Sequence, residues 1–83
     1  MAEGPRLTVY SRAYCHLCDD LLAALVPLAQ RAGVAVEIVD VDSDAGLEAA
    51  YGDKVPVLMA GEREICHYHL DRAALDAYLA GIG

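Results

Sequence analysis

No tryptophan and no phenylalanine occur in this chain, so its interior is built without either of the large, wholly apolar aromatic options. Leucine, valine, alanine and five tyrosines must fill it instead. Basic residues are scarce: six Lys and Arg stand against thirteen Asp and Glu, a formal charge of −7. Such a chain repels phosphate backbones, and no basic stripe runs along it, so nucleic acid is not an expected partner. Long apolar runs are missing too. Leu21 to Ala29 is the longest nearly apolar stretch; it contains Pro27 and is far too short to span a bilayer. Met1-Ala2-Glu3-Gly4-Pro5-Arg6 lacks the apolar segment of a secretory signal. The expectation is a cytoplasmic protein with no membrane partner. Thiols there are kept reduced, and a closely spaced cysteine pair is more often catalytic or metal-binding than a structural staple.

What remains suffices for one small domain, residues 1–83. Hydrophobic residues make up 57% of the chain. A domain of this length buries about 60% of its unfolded surface, so the core must be compact. No repeat or linker divides it. The first six residues read as a short leader. Leu7 to Tyr10 reads as a strand. A helix should follow from about Cys15 to Ala32, with Leu17, Leu21, Leu25, Leu28 and Ala32 on one apolar stripe. Asp19 and Asp20 in its first turn and Arg31 in its last suit the helix dipole, and Gly33 is a suitable stop. Pro27 conflicts with this reading, because an interior proline removes a helix hydrogen bond. A kink near Ala23 to Pro27, or two helical segments, is expected. Val34 to Val41 is a second strand, and Asp42-Ser43-Asp44 offers caps for a short helix carrying Leu47 and Tyr51 and ending at Gly52. Val57-Leu58-Met59 and Glu64 to Tyr68 form a hairpin about Ala60-Gly61-Glu62-Arg63. Asp71 caps the last helix, with Leu70 and Leu75 as a staple and Leu75, Tyr78, Leu79 and Ile82 as its buried stripe. The order β-α-β-α-β-β-α predicts an α/β domain. Its four-stranded mixed sheet has a right-handed first crossover and helices on both faces.

The chemistry concentrates in Cys15-His16-Leu17-Cys18, between the first strand and the first helix. Two thiols three positions apart can close a disulfide with little backbone movement. At a helix start the outer thiol lies near unsatisfied N–H groups and the positive end of the dipole, which favour thiolate. Arg12, and His16 when protonated, act in the same direction; Asp19 and Asp20 oppose it. Strand, Cys-x-x-Cys, helix thus points to reversible dithiol–disulfide exchange.

These elements, the Cys-x-x-Cys and Val55-Pro56-Val57 before the third strand resemble the thioredoxin fold. The short length, together with Ser11-Arg12-Ala13-Tyr14-Cys15-His16-Leu17-Cys18, resembles its glutaredoxin branch, in particular small bacterial proteins with a Cys-His-Leu-Cys-Asp motif. The resemblance covers about Leu7 to Leu79. It implies that Cys15 is the exposed nucleophile and Cys18 the buried resolving thiol. It implies that Pro56 is a cis-proline and that Val55 before it offers backbone hydrogen bonds to a bound thiol peptide. It also implies that Arg12 meets a substrate carboxylate. The expected substrate is a disulfide-containing protein or a small thiol, with a cellular thiol as reductant and no required cofactor. One departure argues against glutathione as the normal partner. The family's Gly-Gly…Asp stretch reads here Cys66-His67-Tyr68-His69-Leu70-Asp71, with bulky side chains in place of the glycines.

Several residues admit two readings. His16 tunes the thiolate or is a solvated helix-start residue. Tyr14 shapes a substrate groove or packs as a turn tyrosine on the sheet edge. Cys66, His67 and His69 could join Cys15 and Cys18 as metal ligands, but strand neighbours point to opposite faces and no metal site is assigned. Asp40 to Asp44 lacks the glycine and closing glutamate of a calcium loop and reads as a strand end and helix cap. Glu62-Arg63-Glu64 reads as a charged turn. Besides exchange chemistry, two alternatives stand: a thiol module holding zinc, copper or an iron–sulfur cluster, and a non-catalytic thioredoxin-fold interaction domain.

Overall fold

A computed structural model describes residues 5–82. Strand β1 (Arg6–Ser11) leads to helix α1 (His16–Ala32) and strand β2 (Ala35–Asp40). A single 3-10 turn (Val41–Ser43) precedes helix α2 (Ala45–Tyr51). The hairpin β3 (Val57–Ala60) and β4 (Arg63–His67) follows, then helix α3 (Arg72–Ile82). The sheet order is β2-β1-β3-β4. β1 runs parallel to β2 and antiparallel to β3, and β3 runs antiparallel to β4. The expected four-stranded mixed sheet is therefore present.

Alternation along β1 sorts the core into two clusters. Leu7 and Val9 point to one face, where they meet Leu21, Leu25 and Ala29 of α1, Leu58, Cys66, and Leu75 of α3. Each fully buried leucine there contributes about 1.5–3 kcal/mol by leaving water. Tyr10 points to the other face and stacks on Tyr51 of α2, ring centroids 4.3 Å apart. That ring pair belongs to the second cluster, centred on Cys18, Val41 and Val55 and joined by Cys15 and Leu47.

The differences from expectation have local causes. The leader is shorter than six residues: Arg6 belongs to β1, and the Pro5 carbonyl accepts from Ala35 N–H at 3.1 Å. Met1 to Gly4 lie outside the described residues, as does the Ile82 side chain assigned to the last apolar stripe. Helix α1 runs unbroken through Pro27 instead of dividing there. Pro27 and Ala23, whose carbonyl loses its donor, both lie on the exposed face, where a missing hydrogen bond costs least. The buried stripe of α1 is Cys18, Leu21, Leu25 and Ala29. Leu17 and Leu28 are half-buried and Ala32 is exposed, so the stripe is rotated toward Cys18. Gly33 ends the helix at φ +71, with its N–H on the Ala29 and Gln30 carbonyls. Tyr68 is not part of β4; it turns away at φ +64. Within β4, Met59 pairs with Glu64 and Leu58 with Cys66, leaving Ile65 as a bulge. No helix among the described residues is long and apolar enough to cross a membrane.

Candidate active site

Cys15 is the N-cap of α1. Its backbone is extended (φ −103, ψ 107), and its sulfur accepts a hydrogen bond from Cys18 N–H at 3.3 Å. A sulfur therefore occupies the place where a Ser or Asp oxygen usually satisfies a first-turn donor. Cys15 is half-buried and Cys18 is 2% exposed. Burial, and then a side-chain hydrogen bond between the Cys18 thiol and Cys15, push the Cys18 thiol up to about 11; a backbone hydrogen bond at Arg12 works against them. The two sulfurs thus sit in unlike surroundings: one partly open at a helix start, the other a protonated thiol within the core. Among the described residues all three cysteines are free thiols.

The turn before Cys15 displays Tyr14, which takes φ +57 and leaves its ring wholly exposed. A left-handed tyrosine costs on the order of 1 kcal/mol, so the surrounding structure holds it there. The ring does not pack on the sheet edge, one of the two readings open from sequence. His16 is exposed as well, and its Nε2 lies 3.6 Å from the Asp20 carboxylate. Val55 lies in the same packed cluster as both thiols. The Val55–Pro56 peptide bond is cis, and Pro56 is fully buried, its carbonyl accepting from Tyr68 N–H at 2.9 Å.

Arg12 is engaged by the chain's own carboxylates. Its Nη2 reaches Asp42 Oδ1 at 2.8 Å and Glu48 Oε2 at 3.0 Å, and Nη1 contacts the Gly52 carbonyl at 3.4 Å. These bonds, that to Asp42 foremost, raise the guanidinium pKa further above its already high value. The parallel register explains the meeting: Ser11 pairs with Asp40, so the segments leaving β1 and β2 emerge side by side. Asp40 to Asp44 is accounted for in the same way. Asp40 accepts from Asp42 N–H, Asp44 caps α2 through Leu47 N–H, and Asp42 holds Arg12.

A second polar group escaped sequence reasoning. Glu64 accepts from Lys54 Nζ at 3.1 Å and lies 2.7 Å from His67 Nδ1. The His67 and Lys54 bonds hold its carboxyl below the usual range. Tyr68 Oη donates to the Asp53 carbonyl at 2.8 Å, tying the end of β4 to the segment that leads into Pro56. Residues three apart on a regular strand face opposite ways; the Ile65 bulge puts Glu64 and His67 on one side. Cys66 pairs with Leu58 and is buried on the other side, where burial raises its thiol pKa. Cys66 and His67 are therefore on opposite faces of β4. Among the described residues no three His, Cys, Asp or Glu side chains gather in a metal-holding arrangement.

Comparison with known proteins gives this geometry a family. Residues 6–80 match the model of the Glutaredoxin-like domain (DUF836). The solution structure of protein Ne2328 from Nitrosomonas europaea is 38% identical, covers 94% of each chain and superposes with a TM-score of 0.81. The uncharacterized protein Rv0508 of Mycobacterium tuberculosis is 31% identical over 81 residues, 92% of this chain and 84% of the relative. The thioredoxin Deadhead of Drosophila melanogaster, at 19% identity and TM-score 0.61 over 94% of this chain and 80% of its own, shares the fold. The chain belongs to the glutaredoxin-like domain family and carries its Cys15 and Cys18 pair on a thioredoxin fold.

Proposed function

We propose that this chain is a cytoplasmic thiol–disulfide oxidoreductase working through Cys15 and Cys18. The observation that carries the reading is the asymmetry of the pair. Cys15 is half-buried and its Sγ accepts the Cys18 N–H at 3.3 Å, while the Cys18 thiol is buried with a pKa of about 11. Thiolate is the attacking species in such exchange, and of the pair only Cys15 is not buried.

In the first step Cys15 thiolate attacks one sulfur of a substrate disulfide. A Cys15–substrate disulfide forms, and the other substrate sulfur leaves as thiolate and takes a proton from water. Cys18 does not compete as nucleophile at this stage, being a thiol. Burial, the largest cause of the raised Cys18 pKa, persists in the mixed disulfide, but the side-chain hydrogen bond with Cys15 and its charge, two lesser causes, are gone. Cys18 then attacks Cys15 Sγ, its proton passing through water to the departing substrate sulfur. The second substrate thiol is released and the Cys15–Cys18 disulfide closes. Two electrons pass from the pair to the substrate, and an external cellular thiol returns them. The cycle needs no further cofactor.

The exposed Tyr14 and the backbone of Val55, packed in one cluster with the thiols, flank the place where a protein disulfide or small thiol would lie. The place of the family's glycines is filled: Tyr68 adopts a glycine-like φ but brings a side chain bonded to Asp53. This supports a disulfide other than that of glutathione as the normal substrate. The test is reduction of a protein disulfide with a recycling dithiol. Wild type accelerates it, Cys15→Ser does not, and equal rates for both would end the proposal.

A further inference from the structure

We infer that Asp42 and Glu48, by occupying Arg12, set the charge preference of the Cys15 site toward disulfides flanked by basic residues. The inference rests on the exchange reading above and adds to it the substrate class.

Arg12 is three residues before the attacking sulfur. A lone guanidinium there would draw anionic substrates. It is instead shared between two carboxylates at 2.8 and 3.0 Å, with the Gly52 carbonyl at 3.4 Å. One positive and two negative charges leave this group at −1. The arrangement is built in: the parallel register delivers Asp42 beside the β1 exit, and α2 delivers Glu48 one turn before Gly52. The other charges around the thiols add to the sign. Asp19 stands in the first turn of α1 and Asp20 follows it, with His16 turned to Asp20. Lys54, on the segment before Val55, is turned to Glu64, which is itself shared with His67. Each nearby cation is thus matched by an acid of this chain. A substrate carrying its own cations meets an attractive field, and one carrying carboxylates a repulsive one. The side chains of Arg12, Asp42 and Glu48 are 32–51% exposed, so the effect acts mainly on encounter and is screened by salt.

The test measures single-turnover reduction of three peptide disulfides, identical except for flanking Lys, Ser or Glu. The reduced protein is used as wild type, as Asp42→Asn/Glu48→Gln and as Arg12→Gln. Wild type is expected to prefer the Lys peptide to the Glu peptide by about tenfold at low ionic strength, with the ratio collapsing in high salt. The double variant frees the guanidinium and narrows the Lys preference, because Asp19 and Asp20 remain. Arg12→Gln leaves both acids unneutralised and widens the Lys preference. Because the ratio compares substrates on one preparation, partial unfolding of a variant lowers all rates and leaves it unchanged. Equal rates for the three peptides in wild type, or ratios that the variants do not move, would overturn the inference while exchange chemistry stood. Failure to reduce any peptide would overturn the exchange reading and this inference with it.

Discussion

Raising the pH should destabilise this protein through Cys18 in a way that can be worked out. The native thiol is pushed from an ordinary value of 9.0 up to about 11 by burial and by Cys15. In the unfolded chain the same thiol ionises near its ordinary value. Below pH 9 both states hold the proton and Cys18 contributes no pH dependence. Between about pH 9 and 11 the unfolded state releases it and the native state keeps it, so the equilibrium moves toward unfolding. Two pKa units at 1.36 kcal/mol each amount to about 3 kcal/mol. That is a large share of the roughly 4–12 kcal/mol expected for a domain of this length. The assay is denaturant unfolding of the reduced protein at pH 8, 9, 10 and 11, beside Cys18→Ala. Other groups titrate in this range, Cys66 among them, but they are common to both proteins. Wild type should therefore lose about 2–3 kcal/mol more than the variant across the window. Parallel losses in the two proteins would refute the reasoning, because they would mean that Cys18 ionises as readily folded as unfolded.

Two further outcomes test the packing and the polar bracing. Leu75 is fully buried between α3 and the sheet, so Leu75→Ala should cost about 2–5 kcal/mol in denaturant unfolding. A loss below about 1 kcal/mol would mean that α3 is not anchored there. Glu64 has a lowered pKa because of His67 and Lys54, so its contribution is present above the ordinary carboxylate pKa and is lost as pH falls through the native value. Glu64→Gln should flatten the acid limb of the stability profile, and an unchanged limb would show that these bonds carry no net stability.

The sequence was legible where one local force acted alone. The apolar spacing and Gly33 marked α1, and Asp71 marked the start of α3. Cys15 was legible as a helix-start sulfur because the Cys-x-x-Cys spacing itself puts Cys18 N–H within its reach. What was hidden depends on register between distant segments. Arg12 meets Asp42 only because β1 and β2 run parallel with Ser11 beside Asp40. Glu64 meets His67 only because Ile65 is bulged, and no local pattern announces that bulge. The two-segment alternative at Pro27 failed for a simpler reason: propensity registers the lost hydrogen bond but not that the loss falls on the exposed face.

In the proposed cycle Cys15 attacks and Cys18 resolves. Intact-mass and peptide mass spectrometry of Cys18→Ser, recovered from the cells that make it, tests this most directly. A disulfide-linked adduct on Cys15, released by dithiothreitol and absent from Cys15→Ser/Cys18→Ser, is the expected result and would carry the substrate's identity with it. A Cys15 that stays an unmodified thiol there, and also after exposure to peptide and protein disulfides, would contradict the account.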